Sequence, residues 1–131
     1  MDTLQPSLTS HQLGALSTLA LAQVGDAVFE LMTRTALCQG GTLTAKVMHR
    51  CRVQLVSAPA QERAAALIIP LLTPEETAVF MRGRNTQVTH VPSSATREQY
   101  QAATALEALF GWLWLAGNRA RLEELYAAAH P

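Results

Sequence analysis

Two carboxylates stand out by their surroundings. Asp26 is the only charged residue between His11 and Glu30, and Glu107 is the only one between Glu98 and Arg119. Both fall inside apolar runs of helical period. A carboxylate taken out of water without a partner carries a large desolvation cost. Each acid therefore calls for a solvated helix face, an ion pair with a distant arginine, a raised pKa or a metal ion. The last two would be chemistry, and two acids in the same kind of setting favour it.

The basic side chains form a second group. Lys46, His49 and Arg50 share one face of a helical stretch by steps of three and four, with Arg52 beside them. They are either an ordinary solvated face or a row of phosphate contacts, which would position a nucleic acid without reading its bases. Arg82 and Arg84 flank Gly83, with Asn85 next. A glycine there permits close approach of a backbone or a phosphate, or else caps a helix. Glu30 and Arg34 are spaced to pair along a helix. Trp112 and Trp114, two apart, must point to different sides. Cys38 and Cys51 lack metal-ligand spacing and read as buried small apolar residues rather than zinc ligands.

The elements that carry these groups read as helices. Leu13, Leu16, Ala20, Val24, Ala27 and Leu31 make one apolar stripe, which predicts a helix over 11–37 closed by Gly40-Gly41. Thr44 is placed to cap a second helix ending before Ser57. Ser57 caps a third running to Ile69, where Pro70 ends or kinks it. Thr73-Pro74-Glu75-Glu76 is a capping box opening a helix to Arg82, followed by one long loop over 83–95. Thr96 with Gln99 is a second capping box, and its helix runs through Leu113 to Gly117-Asn118; Asn118 can cap a short terminal helix. No two-residue alternation persists, so the expected class is all-α.

The chain of 131 residues fits a single domain over 1–131, with its core at about 11–128. Ten Lys+Arg balance ten Asp+Glu, but unevenly. Residues 46–97 hold seven basic residues against three acidic ones, and the remainder holds three against seven. Neutrality thus conceals a basic middle and an acidic remainder that includes Asp26 and Glu107, and a nucleic-acid partner is not excluded. Two cysteines make no disulfide framework, and no signal peptide is visible, so the expected location is the reducing cytoplasm. The acids that interrupt the apolar runs argue against a membrane span.

The run Leu21-Ala22-Gln23-Val24-Gly25-Asp26-Ala27-Val28-Phe29-Glu30 resembles the signature helix of ribonuclease III catalytic domains. Further blocks keep the family's order: Val56-Ser57-Ala58 with Gln61, Leu72 to Glu76, Arg82-Gly83-Arg84-Asn85, and Tyr100 to Leu113. The likeness spans about residues 13–125 and is closest to the small variant without a double-stranded-RNA-binding domain, the Mini-ribonuclease III group. It implies a ribonuclease III-like helical fold that dimerises through the signature helix. It further implies a Mg²⁺-dependent endoribonuclease (Mn²⁺ able to substitute) that leaves 5′-phosphate and 3′-hydroxyl ends on double-stranded RNA. In the Mini group the implied substrate is the 23S ribosomal RNA precursor. Asp26 and Glu107 match the metal-binding, catalytic acids. Lys46, His49, Arg50, Arg82, Arg84 and Asn85 become RNA contacts, and a ribosomal helper protein is a further expected partner. The extra acids of full-length relatives fall at Ala22 and Thr104, so two carboxylates, RNA phosphates and water would complete the metal shell. Pro59, Met81 and the stretch from Pro92 to Ala95, including Ser94, depart from the usual pattern. The competing reading is a non-catalytic ribonuclease III-like module that binds RNA in ribosome assembly.

Overall fold

The computed structural model describes residues 2–41, 44–87 and 90–131. It is helical throughout, with no strand among the described residues. The helices are α1 (Ser10–Gly14), α2 (Thr18–Gln39), α3 (Ala45–Val56), α4 (Ala58–Ile68), α5 (Pro74–Arg84), α6 (Arg97–Leu115) and α7 (Arg119–Ala129), with a single 3₁₀ turn over Ile69–Leu71.

Capping residues set most of these boundaries. Thr44, Ser57, Thr73, Thr96 and Asn118 each accept a backbone N–H from the first turn of the helix they open. The capping boxes Thr73–Glu76 and Thr96–Gln99 are both closed reciprocally. Pro70 sits in the 3₁₀ turn that ends α4, as its missing N–H requires.

Two expected boundaries are corrected. The helix over 11–37 is two helices, because Ser17 accepts the Ala20 N–H and starts α2 afresh, while Thr9 and Gln12 form a capping box for α1. The helix from Pro74 runs to Arg84 rather than Arg82. Gly83 is therefore neither a cap nor loop; it is buried within α5, and a Cβ there would lie 2.7 Å from the Ala105 Cα of α6. The loop follows Asn85, and its residues 88 and 89 lie outside the described residues.

Helix α6 is the axis of the molecule. Ala103 to Leu106, Ala108 to Gly111 and Leu113 are all buried, as expected of a helix covered on most of its circumference. Phe29 of α2, Ile68 of α4, Phe80 of α5 and Leu125 of α7 converge on it. The rings of Phe29 and Phe110 lie 5.4 Å apart, and those of Phe29 and Tyr126 5.7 Å apart; tilted pairs of this kind add to simple area burial. The Tyr126 hydroxyl donates to the buried Thr33 Oγ1 at 3.0 Å. An ion pair unforeseen from sequence ties α7 to α5: Arg121 donates to both Glu76 carboxylate oxygens at 2.9 Å and to the Leu71 carbonyl at 2.7 Å.

Candidate active site

The approach of α2 to α6 creates the site. At the crossing a Cβ on Gly25 would collide with the Glu107 carbonyl oxygen, and one on Gly111 with the Leu21 carbonyl oxygen. Only glycine at both places lets the two backbones come so near. Asp26 follows Gly25 and Glu107 is four residues before Gly111, so the close crossing sets their side chains together. They line one open cleft of about 310 Å³ with Leu19, Ala22, Gln23, Tyr100 and Thr104. These positions form two matching stripes, Leu19, Ala22, Gln23 and Asp26 on α2 against Tyr100, Thr104 and Glu107 on α6.

The two acids differ in setting. Asp26 is exposed, so the expectation that both sit in apolar surroundings holds only for Glu107, which is half-buried. Burial raises the Glu107 pKa, and the neighbouring Asp26 carboxylate raises it further by charge and by a shared hydrogen bond, bringing it to about 8. The side chain of Gln61 on α4 opposes this with a hydrogen bond to Glu107. Among the described residues no lysine, arginine or histidine lines the cleft, and neither acid forms an ion pair.

This donor set fits a hard divalent cation. Two hard oxygen ligands face one space, no side-chain cation neutralises them, and their mutual repulsion is relieved by a positive charge between them. Among the described residues no third His, Cys, Asp or Glu completes a cluster. The positions that carry extra acids in full-length relatives, Ala22 and Thr104, do line the cleft, and the Thr104 hydroxyl is turned to the Tyr100 carbonyl at 3.0 Å. A cation here would take its remaining ligands from phosphate and water.

The basic residues stand outside the cleft. Lys46, His49 and Arg50 are exposed on α3, and none forms an ion pair among the described residues. Arg52 is withdrawn from this group: its Nη1 donates to Glu30 Oε1 at 2.6 Å, which fastens α3 to α2 one turn beyond Asp26, while Arg34 joins the same carboxylate at 3.4 Å. Arg82 and Arg84 are exposed on opposite sides of the buried Gly83. Arg82 borders a cleft against α1 with Trp112, and Arg84 borders a small cavity with Glu62 and Glu98. Asn85 is exposed at the C-terminal cap of α5. The structure thus brings Asp26 and Glu107 together and leaves the six proposed RNA contacts on two separate helices. Tyr100, Gln23 and Gln61 belong to the site's surroundings without having been assigned a role from sequence. Tyr100 and Gln23 were findable by helix phase, lying at steps of three and four from Glu107 and Asp26; Gln61 was not, because it comes from a different helix.

On its other side α2 faces an apolar groove of about 720 Å³, walled by Val24, Ala27, Leu31 and Met32 and closed by Trp114 and Leu122. Leu31 is 62% exposed and Leu19 53%. The Arg119 guanidinium lies over the Trp114 ring, 4.9 Å from its centroid. Trp112 and Trp114 do point to different sides, and Gln23 borders both the groove and the acidic cleft.

A model of the ribonuclease III domain matches residues 19–118. The Mini-ribonuclease 3 of Symbiobacterium thermophilum is 40% identical over 114 residues, 87% of this chain and 88% of that protein. The Mini-ribonuclease 3 of Thermoanaerobacter sp. is 36% identical over 118 residues, 90% of this chain and 83% of that one. Among solved structures, a crystal structure of a Fusobacterium nucleatum protein superposes with a TM-score of 0.79 at 30% identity, covering 87% of this chain and 93% of that one. No helix of the described residues is long and apolar enough to cross a membrane.

Proposed function

The chain belongs to the Mini-ribonuclease 3 group of the ribonuclease III domain family, and from that premise we propose that it is a Mg²⁺-dependent endoribonuclease cutting double-stranded RNA as a cytoplasmic homodimer. The observation that carries this is the facing pair Asp26 and Glu107 in one open cleft with no side-chain cation lining it. The two carboxylates would hold Mg²⁺, or Mn²⁺ in its place. Bound there, the cation would supply Lewis acidity toward a phosphodiester and lower the pKa of a water, chemistry that would yield 5′-phosphate and 3′-hydroxyl ends.

The chain's own residues do the rest. Glu107 keeps one acid partly withdrawn from solvent, where electrostatic interactions are strong, and Asp26 stands at the open side where a phosphate arrives. Lys46, His49, Arg50, Arg82, Arg84 and Asn85 offer contacts to the RNA backbone, and such contacts orient a duplex without reading bases. The apolar groove along α2 supports the dimer, since a second copy related by a twofold axis would cover the same face on each chain. Two clefts per dimer then serve the two strands of one duplex. The RNA we assign is the 23S ribosomal RNA precursor, chosen by duplex shape or with a ribosomal helper protein.

The test is incubation of the wild type and Asp26→Ala with a long RNA duplex, with and without Mg²⁺. Metal-dependent shortening by the wild type alone is expected. A mobility shift without shortening would overturn the reading in favour of a non-catalytic RNA-binding module.

A further inference from the structure

Helix α3 carries three of the proposed RNA contacts, yet the fold holds it less than any other α-helix. Among the described α-helices it alone buries no residue. It packs with one side on α2 and α4, and the single residue Ser57 joins it to α4. Its inward stripe, Met48, Cys51, Arg52, Leu55 and Val56, follows steps of three and four. Each of these is only half-buried; Cys51, expected to be buried, is among them because α3 has protein on one side only. Lys46, His49, Arg50 and Val53 make the opposite stripe and are exposed. Arg52 is therefore the one basic residue of α3 that faces the protein. Its Nη1 donates to Glu30 Oε1 at 2.6 Å, and only 19% of the Arg52 side chain and 26% of the Glu30 side chain are exposed. Glu30 lies one turn after Asp26 on the same side of α2. A single ion pair thus links the basic helix to the helix that bears an acid of the cleft.

We propose that Arg52 is a positioning residue for RNA: through Glu30 it holds α3 where Lys46, His49 and Arg50 meet the phosphates of a duplex lying at the Asp26–Glu107 cleft. This rests on the reading of those three residues as RNA contacts. With no buried side chain to fix it, α3 would swing as a body by rotation about Ser57. A charge-assisted hydrogen bond between partly shielded groups opposes that swing more strongly than one in open water. The guanidinium keeps its charge at any working pH, so the tie is permanent on that side. A direct phosphate contact would need the opposite arrangement, with the guanidinium turned outward and free of a carboxylate. The two roles give opposite signs for Glu30→Gln. An arginine that only supplied charge would be released by that change, and RNA would bind more tightly. An arginine that holds α3 loses its anchor, and RNA binds more weakly.

Duplex affinity is measured by fluorescence anisotropy, and kcat by cleavage at saturating RNA. The proteins are the wild type, Arg52→Gln, Glu30→Gln, the double variant, Arg52→Lys, and Lys46→Glu with Arg50→Glu as the control for the basic face. Arg52→Gln and Glu30→Gln are each expected to raise Kd about fivefold, with no further rise in the double variant and kcat within about twofold of wild type. Arg52→Lys, which keeps a charge able to reach the carboxylate, is expected to restore most of the affinity. Hydrogen exchange should quicken at the amides of 45–56 in both single variants and stay unchanged in α6. An unchanged Kd in Arg52→Gln, or an unchanged or lowered Kd in Glu30→Gln, would overturn the proposal and leave the basic face intact if the control still binds weakly. A wild-type Kd in the control would overturn the RNA-contact reading and the proposal with it. Should Arg52→Gln fail to fold, Glu30→Gln decides alone: a raised Kd with faster exchange in α3 supports the role, and a lowered or unchanged Kd refutes it.

Discussion

Two carboxylates side by side destabilise the protein that carries them when both are ionised. The sign follows from the Glu107 pKa, which rises from an ordinary 4.5 to about 8 on folding. Between those values the folded chain holds a proton that the unfolded chain has released. The contribution is therefore present below about pH 4.5 and lost as pH rises through about 8. In the absence of divalent ions, Asp26→Asn should melt several degrees above the wild type at pH 8, with the gap closing toward pH 5. Adding Mg²⁺ should raise the melting temperature of the wild type but not of the variant, as differential scanning calorimetry would record. Cation binding must also displace that proton below pH 8, so Mn²⁺ affinity should increase with pH between 6 and 8 by up to about tenfold per unit, a trend that titration calorimetry in buffers of different ionisation enthalpy would confirm.

At the scale of elements, the site depends on how close two helices come. Gly25→Ala and Gly111→Ala each set a methyl group against backbone of the opposite helix, where no side-chain rotation can relieve the clash. Either should cost about 3 kcal/mol or more and abolish cleavage with both acids still present, checked by denaturant unfolding beside the cleavage assay. The Glu76–Arg121 pair anchors a different junction. Arg121, hydrogen-bonded to Glu76, holds that carboxyl below its ordinary range, so its contribution is present above about pH 4.5 and lost as pH falls through the lowered folded value. Arg121→Met should lower stability at pH 7 by about 3 kcal/mol, since it leaves the Glu76 charge buried without its partner. The deficit should shrink under acid, which urea melts at pH 7 and pH 3.5 would reveal.

At the scale of the whole molecule, α2 divides its surface between two tasks, the acidic cleft on one side and the apolar groove on the other. Leu31, 62% exposed on the groove side, is remote in phase from the cleft. Leu31→Glu should leave the helical content unchanged while light scattering reports the mass of one chain in place of two, and cleavage should fall with dimerisation. The charge distribution sets how RNA is met. With an overall charge of zero, binding must rely on local basic faces, so the double change Lys46→Glu with Arg50→Glu should weaken duplex affinity at least tenfold and flatten its dependence on salt, while kcat at saturating RNA stays near wild type. Fluorescence anisotropy across a salt series would measure both.

Sequence by itself determined what local physics controls. The all-helical class, five helix starts and the glycine stop at Gly40 follow from capping side chains and apolar period, which act within a few residues. The isolation of Asp26 and Glu107 in apolar runs was equally legible, since it needs no knowledge of neighbours. What tertiary structure alone decided lies between helices distant in the chain. Gly83 reads equally as a cap or as a point of close approach until the α6 backbone is seen against it, and Arg52 reads as one of a basic row until Glu30 is found in its path. Nothing local in the sequence pairs Arg121 with Glu76; the docking of α7 brings them together. Gln61 and Glu107 are 46 positions apart, and no periodicity joins them. They lie on helices distant in the chain, α4 packing against α6 through Ala64, Ala65 and Ile68, and whether a side chain is buried, paired or free is fixed only by such packing.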